Sequence, residues 1–430
     1  MERLRALKAE TFIKYGGRTL SFTLPKGWRL VKVAVPREEP KAVDELEAVK
    51  SSLQNPVSAS LQNMVFQGAR VTIIVDDKTR PTPTHKILPI LLDKLNSLGV
   101  SDRNIKIVVA LGLHSENSWE ELERKLGGEV LSRVEVYNHN PNSNLSYLGE
   151  TSRGTPVYVN RHVVEADVRI GVGSISPHPA AGYSGGPKII LPGVSGKTTI
   201  YKNHSFFREP SAVIGKLEGN PVFLDEVEAA RMARLDFIVN TILDSSGRIM
   251  KVFSGDPVEA FRRGVSFFKG IYQVSAPAVD VSIVSSYPVD IDLFQSFKAA
   301  FAASLTTRRG GVIILVSPCS EGVRKEHYET VAGLGLHKLN CEELYRAVEE
   351  GKLPDYVFGL GYYKLRKMIE GKRMIVVTDG IPGRKLGEMG FEHAKNIEEA
   401  FEMAGFREAE VLVAPYGAKI LLKPEGEGGD

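Results

Sequence analysis

Cysteine is almost missing from this 430-residue chain: Cys319 and Cys341 are the only two, far apart and without CxxC spacing. A disulfide scaffold and a cysteine-built zinc site are therefore both disfavoured, and the count suits a reducing cytoplasm. Charge of one sign is scarce too, because 55 basic residues face 52 acidic ones and leave a net charge of +3. A nucleic-acid partner needs a basic footprint, so none is expected. Long apolar runs are lacking: stretches such as 71–75 and 311–316 are too short to cross a bilayer. The first twenty residues mix charges where a secretory signal requires an apolar core. These absences lead to the expectation of a soluble, cytoplasmic protein with no membrane partner. Glutamine occurs only five times, which would suit a thermophile.

What is present begins with 43% hydrophobic content, enough at this length for a full core and two or three domains. Short β-branched runs alternate with helical patterns, the signature of α/β architecture with mainly parallel sheets. Strands are expected at 71–75, 105–110, 168–173 and 237–243, with helices near 86–98, 119–126 and 223–235. The segment 276–280, APAVD, reads as a linker, and a second α/β set follows with strands at 281–285, 311–316, 374–378 and 411–414. The expected organisation is two α/β domains with an active-site cleft between them. An N-terminal cofactor-binding and catalytic domain would span 1–275 and a substrate-clamping domain 281–406. Residues 407–423 form a final strand that could return to the N-terminal domain, and 424–430 read as a disordered tail.

Four constellations carry the chemistry. The densest is 178–204, HPAAGYSGGPKIILPGVSGKTTIYKNH, where His178, Lys188 and His204 share one segment with five glycines. Glycines let a backbone approach a ligand closely, and their amides can form an anion nest. The set suits a phosphorylated cofactor, a metal, or both. GYSGGPK lacks GxxxxGK[ST] spacing, so it is not a nucleotide-hydrolysis loop. Asp76-Asp77-Lys78-Thr79-Arg80-Pro81 follows a strand and offers carboxylates for a ribose and an arginine fork for an anion. Gly112-Leu113-His114 also follows a strand, and Gln295 and Lys298 lie three apart on one expected helical face. Taken singly, each has a plainer structural explanation: a capped turn, a structural histidine, a surface lysine, a solvated helix face.

Together they resemble the nickel-pincer nucleotide-dependent lactate racemase family. The matching pieces are DxxRP at Asp77, Arg80 and Pro81, GxH at His114, and H-x3-G-x-SGG-x-K at His178, Gly182, Ser184, Gly185, Gly186 and Lys188. They continue with LPG at 191–193, the NHS that contains His204, and Q-x-x-K at Gln295 and Lys298, all in order from about residue 50 to the final strand. The resemblance implies a racemase or epimerase that inverts C2 of a 2-hydroxy acid by moving a hydride to and from the cofactor. It implies Lys188 as the covalent tether through a thioamide, His204 as the protein ligand to nickel, and His114 and His178 as acid/base residues. Arg80, Gln295 and Lys298 would orient the substrate carboxylate. Asp77, Ser184 and the amides of Gly185 and Gly186 would seat the nucleotide's ribose and phosphate. Enzymes that build the cofactor would act upstream, and a homodimer is compatible with such a chain.

Departures bear on substrate identity. Ser115 and Pro187 stand where basic residues are expected in lactate-specific members, and both tryptophans, Trp28 and Trp119, lie in the N-terminal half. The second domain offers Tyr356 or Phe358 where those members place a tryptophan, which suggests a 2-hydroxy acid other than lactate, such as a larger acid or an aldonate. Two other readings remain: a nicotinamide-dependent 2-hydroxyacid dehydrogenase, although no GxGxxG follows an early strand, and a non-catalytic nucleotide or sugar-acid binding protein.

Overall fold

The computed structural model describes residues 10–37 and 44–426. The chain divides into two compact units, one of Glu38–Gly270 and one that joins Met1–Arg37 to Ile271–Asp430. Three strands open the described chain: β1 (Glu10–Tyr15) and β2 (Arg18–Thr23) form an antiparallel hairpin, and β3 (Trp28–Val33) follows.

The unit of Glu38–Gly270 is built on β4 (Val71–Asp76), β5 (Ile105–Ala110) and β6 (Glu135–Asn138). A small antiparallel pair, β7 (Leu145–Glu150) and β8 (Pro156–Asn160), precedes β9 (Val168–Ser174). A second pair, β10 (Ser176–His178) and β11 (Gly182–Ser184), comes next, then β12 (Phe237–Leu243) and β13 (Ile249–Gly255). The central sheet runs β13-β12-β9-β4-β5-β6. All its pairings are parallel except β12 with β13. Every residue of β4 and of β9 is buried. That is why both read as apolar runs rather than alternating patterns, since helices cover both faces of a parallel sheet. Ile73, Leu88, Leu91, Leu92 and Ile107 share one apolar cluster there. Truncating one such side chain to alanine costs about 2–5 kcal/mol.

The other unit adds β14 (Gln273–Ala276), β15 (Val279–Ser285), β16 (Thr307–Val316), β17 (Arg373–Val377), β18 (Glu392–Ala394), β19 (Ala409–Ala414) and β20 (Leu421–Pro424). Its main sheet, β18-β17-β16-β15-β19-β3, is parallel throughout.

Four boundary expectations are corrected. The first domain does not begin at residue 1: β3 pairs with β19, and Trp28 packs on Phe401 with its indole nitrogen donating to the Phe406 carbonyl at 3.0 Å. The final strand therefore does not return to the N-terminal domain; instead, the N-terminal strand comes to it. Residues 276–280 are not a free linker, because Ala276 ends β14 and Val279 starts β15. Pro424 pairs in β20 against β14, and the Glu425 amide donates to the Ala276 carbonyl at 3.0 Å, so the ordered chain outlasts the expected start of the tail. Residues 427–430 lie outside the described residues.

Candidate functional site

In the unit of Glu38–Gly270 the chain moves outward from β4 to β5 and β6, then returns to the other side of β4 with β9 and β12. Strand order therefore reverses between β4 and β9. In open α/β sheets, ligands bind beyond the carboxyl ends of the strands at such a reversal. The loops that leave β4, β5 and β9 carry Asp77 and Arg80, His114, and His178 through Lys188 respectively.

Asp76 closes β4 and is buried in an ion pair with Lys125, Nζ to Oδ1 2.7 Å, with Thr82 also donating to it. Burial pushes its pKa up, and Lys125 and Thr82 oppose that shift. Asp77 turns towards His114: its Oδ2 lies 2.6 Å from Nδ1, while Oδ1 accepts from the Thr79 amide at 3.0 Å and the Thr79 hydroxyl at 2.6 Å. Burial alone would raise the pKa of Asp77, but the hydrogen bond and charge of His114, with Thr79 and Arg80, outweigh it and hold the carboxyl below its ordinary value. A carboxylate facing Nδ1 places the proton there and leaves the Nε2 lone pair for chemistry. The ribose role expected for Asp77 thus meets a carboxylate already committed on both oxygens. Arg80 closes the turn by donating its amide to the Asp77 carbonyl at 3.1 Å.

The β10–β11 hairpin holds His178 opposite Gly182, and Ser176 opposite Ser184. The amides of Ala180 and Ala181 approach His178 Nδ1 at 3.3 and 3.0 Å. Amides only donate, so this Nδ1 accepts and the ring proton sits on Nε2. The two imidazoles thus rest in opposite tautomers. Gly182 has φ of +83°, and a Cβ there would collide with the Lys216 carbonyl. Gly186, at φ +56°, packs against Phe261, and its amide donates to Asn240 Oδ1 at 2.7 Å. The anion cradle expected of Gly185 and Gly186 is corrected at that position, because a side-chain oxygen on β12 already takes the amide.

Lys188 sits in a short 3₁₀ turn, Gly186–Ile189, with its Nζ 3.0 Å from Oε1 of Glu226. Glu226 is on the helix Pro221–Met232 and its side chain is only 1% exposed. Burial raises its pKa to about 7 against the opposing charge of Lys188. His204 lies on the helix Lys197–Ser205. Burial first, then the positive fields of Lys188 and His114, push its pKa down to about 3, so the ring is neutral. Its Nδ1 is buried and has no hydrogen-bond partner. Phe207 packs on both His204 and His178, with ring centres 4.6 and 6.3 Å away. One neighbourhood thus gathers Asp77, His114, His178, Lys188 and His204.

A neutral imidazole with an unpaired buried nitrogen is a fitting ligand for a transition metal. Among the described residues no group of three or more His, Cys, Asp or Glu could hold a metal ion. Glu226, Asn240 and Phe207 were missed in the sequence, yet two left a signal. Asp225 and Glu226 interrupt the apolar face of a buried helix, and Asn240 interrupts FIVNTIL, a buried strand. Each buried polar group needs a partner.

Gln295 and Lys298 lie in the other unit, on the helix Leu293–Ser304, both half-buried and one turn apart. The Gln295 amide donates to its cap, Asp292, at 2.9 Å. Tyr356 opens the helix Tyr356–Met368, and its hydroxyl lies 3.1 Å from Glu349 Oε1. Phe358 is stacked on His327 at 3.9 Å and is committed to packing. No described helix is long and apolar enough to cross a membrane.

Residues 15–215 match the lactate racemase N-terminal domain family, and residues 274–422 the lactate racemase C-terminal domain family. The chain is 34% identical to a lactate racemase of Lactiplantibacillus plantarum, over 89% of this chain and 92% of that one. It is 30% identical to a lactate racemase of Thermoanaerobacterium thermosaccharolyticum, over 96% of this chain and 98% of that one. The solved lactate racemase apoprotein of that second organism superposes with a TM-score of 0.86 at 30% identity, covering 96% of this chain and all of the other. A Thermotoga maritima protein shares the fold alone, with a TM-score of 0.67 at 18% identity over 90% of this chain. The chain belongs to the lactate racemase family, and it is an isomerase of the racemase type.

Proposed function

We propose that this enzyme inverts C2 of a 2-hydroxy acid with a nickel-pincer nucleotide held covalently on Lys188 and ligated through His204. The observation that carries this reading is the neutral, buried His204, unpaired at Nδ1 and within the electrostatic reach of Lys188 and His114. When bound, that cofactor supplies an electron-poor centre for hydride transfer, a step the side chains cannot perform themselves. The chain's own part is binding and proton transfer. His114 Nε2 takes the proton of the substrate hydroxyl, and the Asp77 carboxylate stabilises the imidazolium that results. His178 presents Nε2–H as the donor on its side of the substrate oxygen. For the opposite enantiomer the roles exchange, which requires His178 Nδ1 to give up the Ala180 and Ala181 amides. Arg80, Gln295 and Lys298 orient the substrate carboxylate, for which a guanidinium fork is the apt partner. Ser184, Gly185 and the loop after β4 would lie along the nucleotide.

The substrate is proposed to be a 2-hydroxy acid larger than lactate, with Tyr356 beside its side chain, because this sequence lacks a tryptophan in its C-terminal half. Enzymes that assemble the cofactor would act upstream. Intact mass spectrometry of protein made beside those enzymes tests the cofactor: a Lys188 adduct with one nickel is expected, and bare protein that still racemises would overturn it. A panel of enantiopure 2-hydroxy acids and aldonates, read by chiral chromatography, tests the substrate. Equal rates on lactate and on bulkier acids would count against the larger substrate.

A further inference from the structure

The proposed chemistry gives the buried partner of Lys188 no part. Lys188 and Glu226 make a 3.0 Å ion pair, with side chains 10% and 1% exposed. Two like-sized charges removed from water are retained only while each compensates the other. A tether lysine cannot keep its charge, because forming an amide-type bond at Nζ turns an ammonium into a neutral nitrogen. The carboxylate would then stand alone in a dry site.

We infer that Glu226 is the proton acceptor for Lys188 when the cofactor is attached, and that it remains a neutral carboxylic acid afterwards. The inference rests on the tether role proposed for Lys188. The step balances without an oxidant or reductant. The Lys188 ammonium meets a thiocarboxylic acid on the cofactor precursor, a C–N bond forms and the C–O bond breaks. Oxygen departs as water with the thiol proton and one proton from nitrogen; the second nitrogen proton passes to Glu226. A lysine thioamide and a neutral Glu226 result.

Glu226 is the carboxyl in contact with Lys188, and its neighbour on the helix is already engaged. Asp225, the adjacent acid on the same helix, is occupied by the hydroxyls of Thr151 and Thr155 and by the Asn203 amide at 2.6, 3.0 and 2.9 Å. Its charge disfavours a second anion beside it and helps Glu226 take up a proton. Burial already brings Glu226 to about 7 with the ammonium alongside, so loss of that charge carries it higher.

The test needs no loaded enzyme. Apoprotein is acetylated at Lys188 with acetic anhydride, the site is confirmed by peptide mass spectrometry, and infrared difference spectra are recorded at about pH 8, above the ordinary carboxylate range. The expected result is a new protonated-carboxyl carbonyl band, worth one group per chain, in acetylated wild type and absent from acetylated Glu226→Gln. Unmodified Lys188→Met should show the same band, which keeps the test alive if the glutamine variant does not fold. No such band in acetylated wild type and in Lys188→Met would overturn the inference. In cells that make the cofactor, Glu226→Gln should slow adduct formation by ~10²-fold, the scale of a lost general base. A missing adduct on wild-type Lys188 with the infrared band present would sink the tether role instead, so the two failures read differently.

Discussion

Replacing Asp77 by asparagine alters one atom pair yet should reverse the tautomer of His114. Oδ1 of Asp77 already accepts two hydrogen bonds from Thr79, while Oδ2 faces His114 Nδ1 at 2.6 Å. Asparagine has a single carbonyl oxygen, and the two Thr79 donors claim it. The amide NH2 then points at His114, Nδ1 must accept, and the ring proton moves to Nε2, where the substrate proton should go. A charge-assisted hydrogen bond worth about 1.5–3 kcal/mol gives way to a neutral one of about 0.5–1.5 kcal/mol, so stability should fall by only about 1 kcal/mol. Activity should fall far more, by ~10²–10⁴ in kcat, the usual share of a general base. Because Asp77 is held below its ordinary pKa, its stabilisation is present above ~3.9 and lost as pH falls through the lower folded value. The variant should lack that acid-side loss. Steady-state racemisation with loaded enzyme gives kcat, and nitrogen NMR of the apoprotein gives the His114 tautomer. Wild-type kcat in a variant whose His114 still carries its proton on Nδ1 would refute the reasoning.

Other perturbations separate the remaining roles. His204→Ala should lose nickel while keeping the Lys188 adduct, measured by metal analysis beside intact mass; retained nickel would remove His204 from the metal. His178→Ala should keep both nickel and adduct but lose turnover, and since enantiomers are equally stable, kcat/KM should fall equally in the two directions. Gly182→Ala combines a left-handed backbone, about 1–2 kcal/mol for a residue with a Cβ, with a collision at Lys216. Its melting temperature should drop by at least ~5 °C, at a few degrees per kcal/mol, and an unchanged value would contradict the packing described. Glu226 has a raised folded pKa, so its contribution is full at acid pH and is lost as pH rises through about 7. Urea midpoints across that window should decline in wild type and flatten in Glu226→Gln.

Much of the site could be read from the chain, for physical reasons that particular residues make plain. Buried parallel strands such as Ile105–Ala110 and Phe237–Leu243 carry apolar runs ended by loop residues, so their limits and the chemistry-bearing loops after them are legible. The hairpin β1–β2 was missed although Gly16-Gly17 separates two alternating runs, a short-turn signal that composition-level reading passes over. Helix Trp119–Leu126 announces itself through its Ser118 and Glu121 capping box.

Sequence by itself determined the α/β class and the order of the motifs that carry His114, His178, Lys188 and His204, because each motif is a short local run of residues. Tertiary structure alone decided which distant groups meet there: Asp77 on His114, Glu226 on Lys188, and Asn240 on the Gly186 amide. It also decided that β3 completes the C-terminal sheet. Partners separated by 37, 38 or 54 residues leave no periodic trace in a chain, since their encounter depends on where the sheet brings distant loops together.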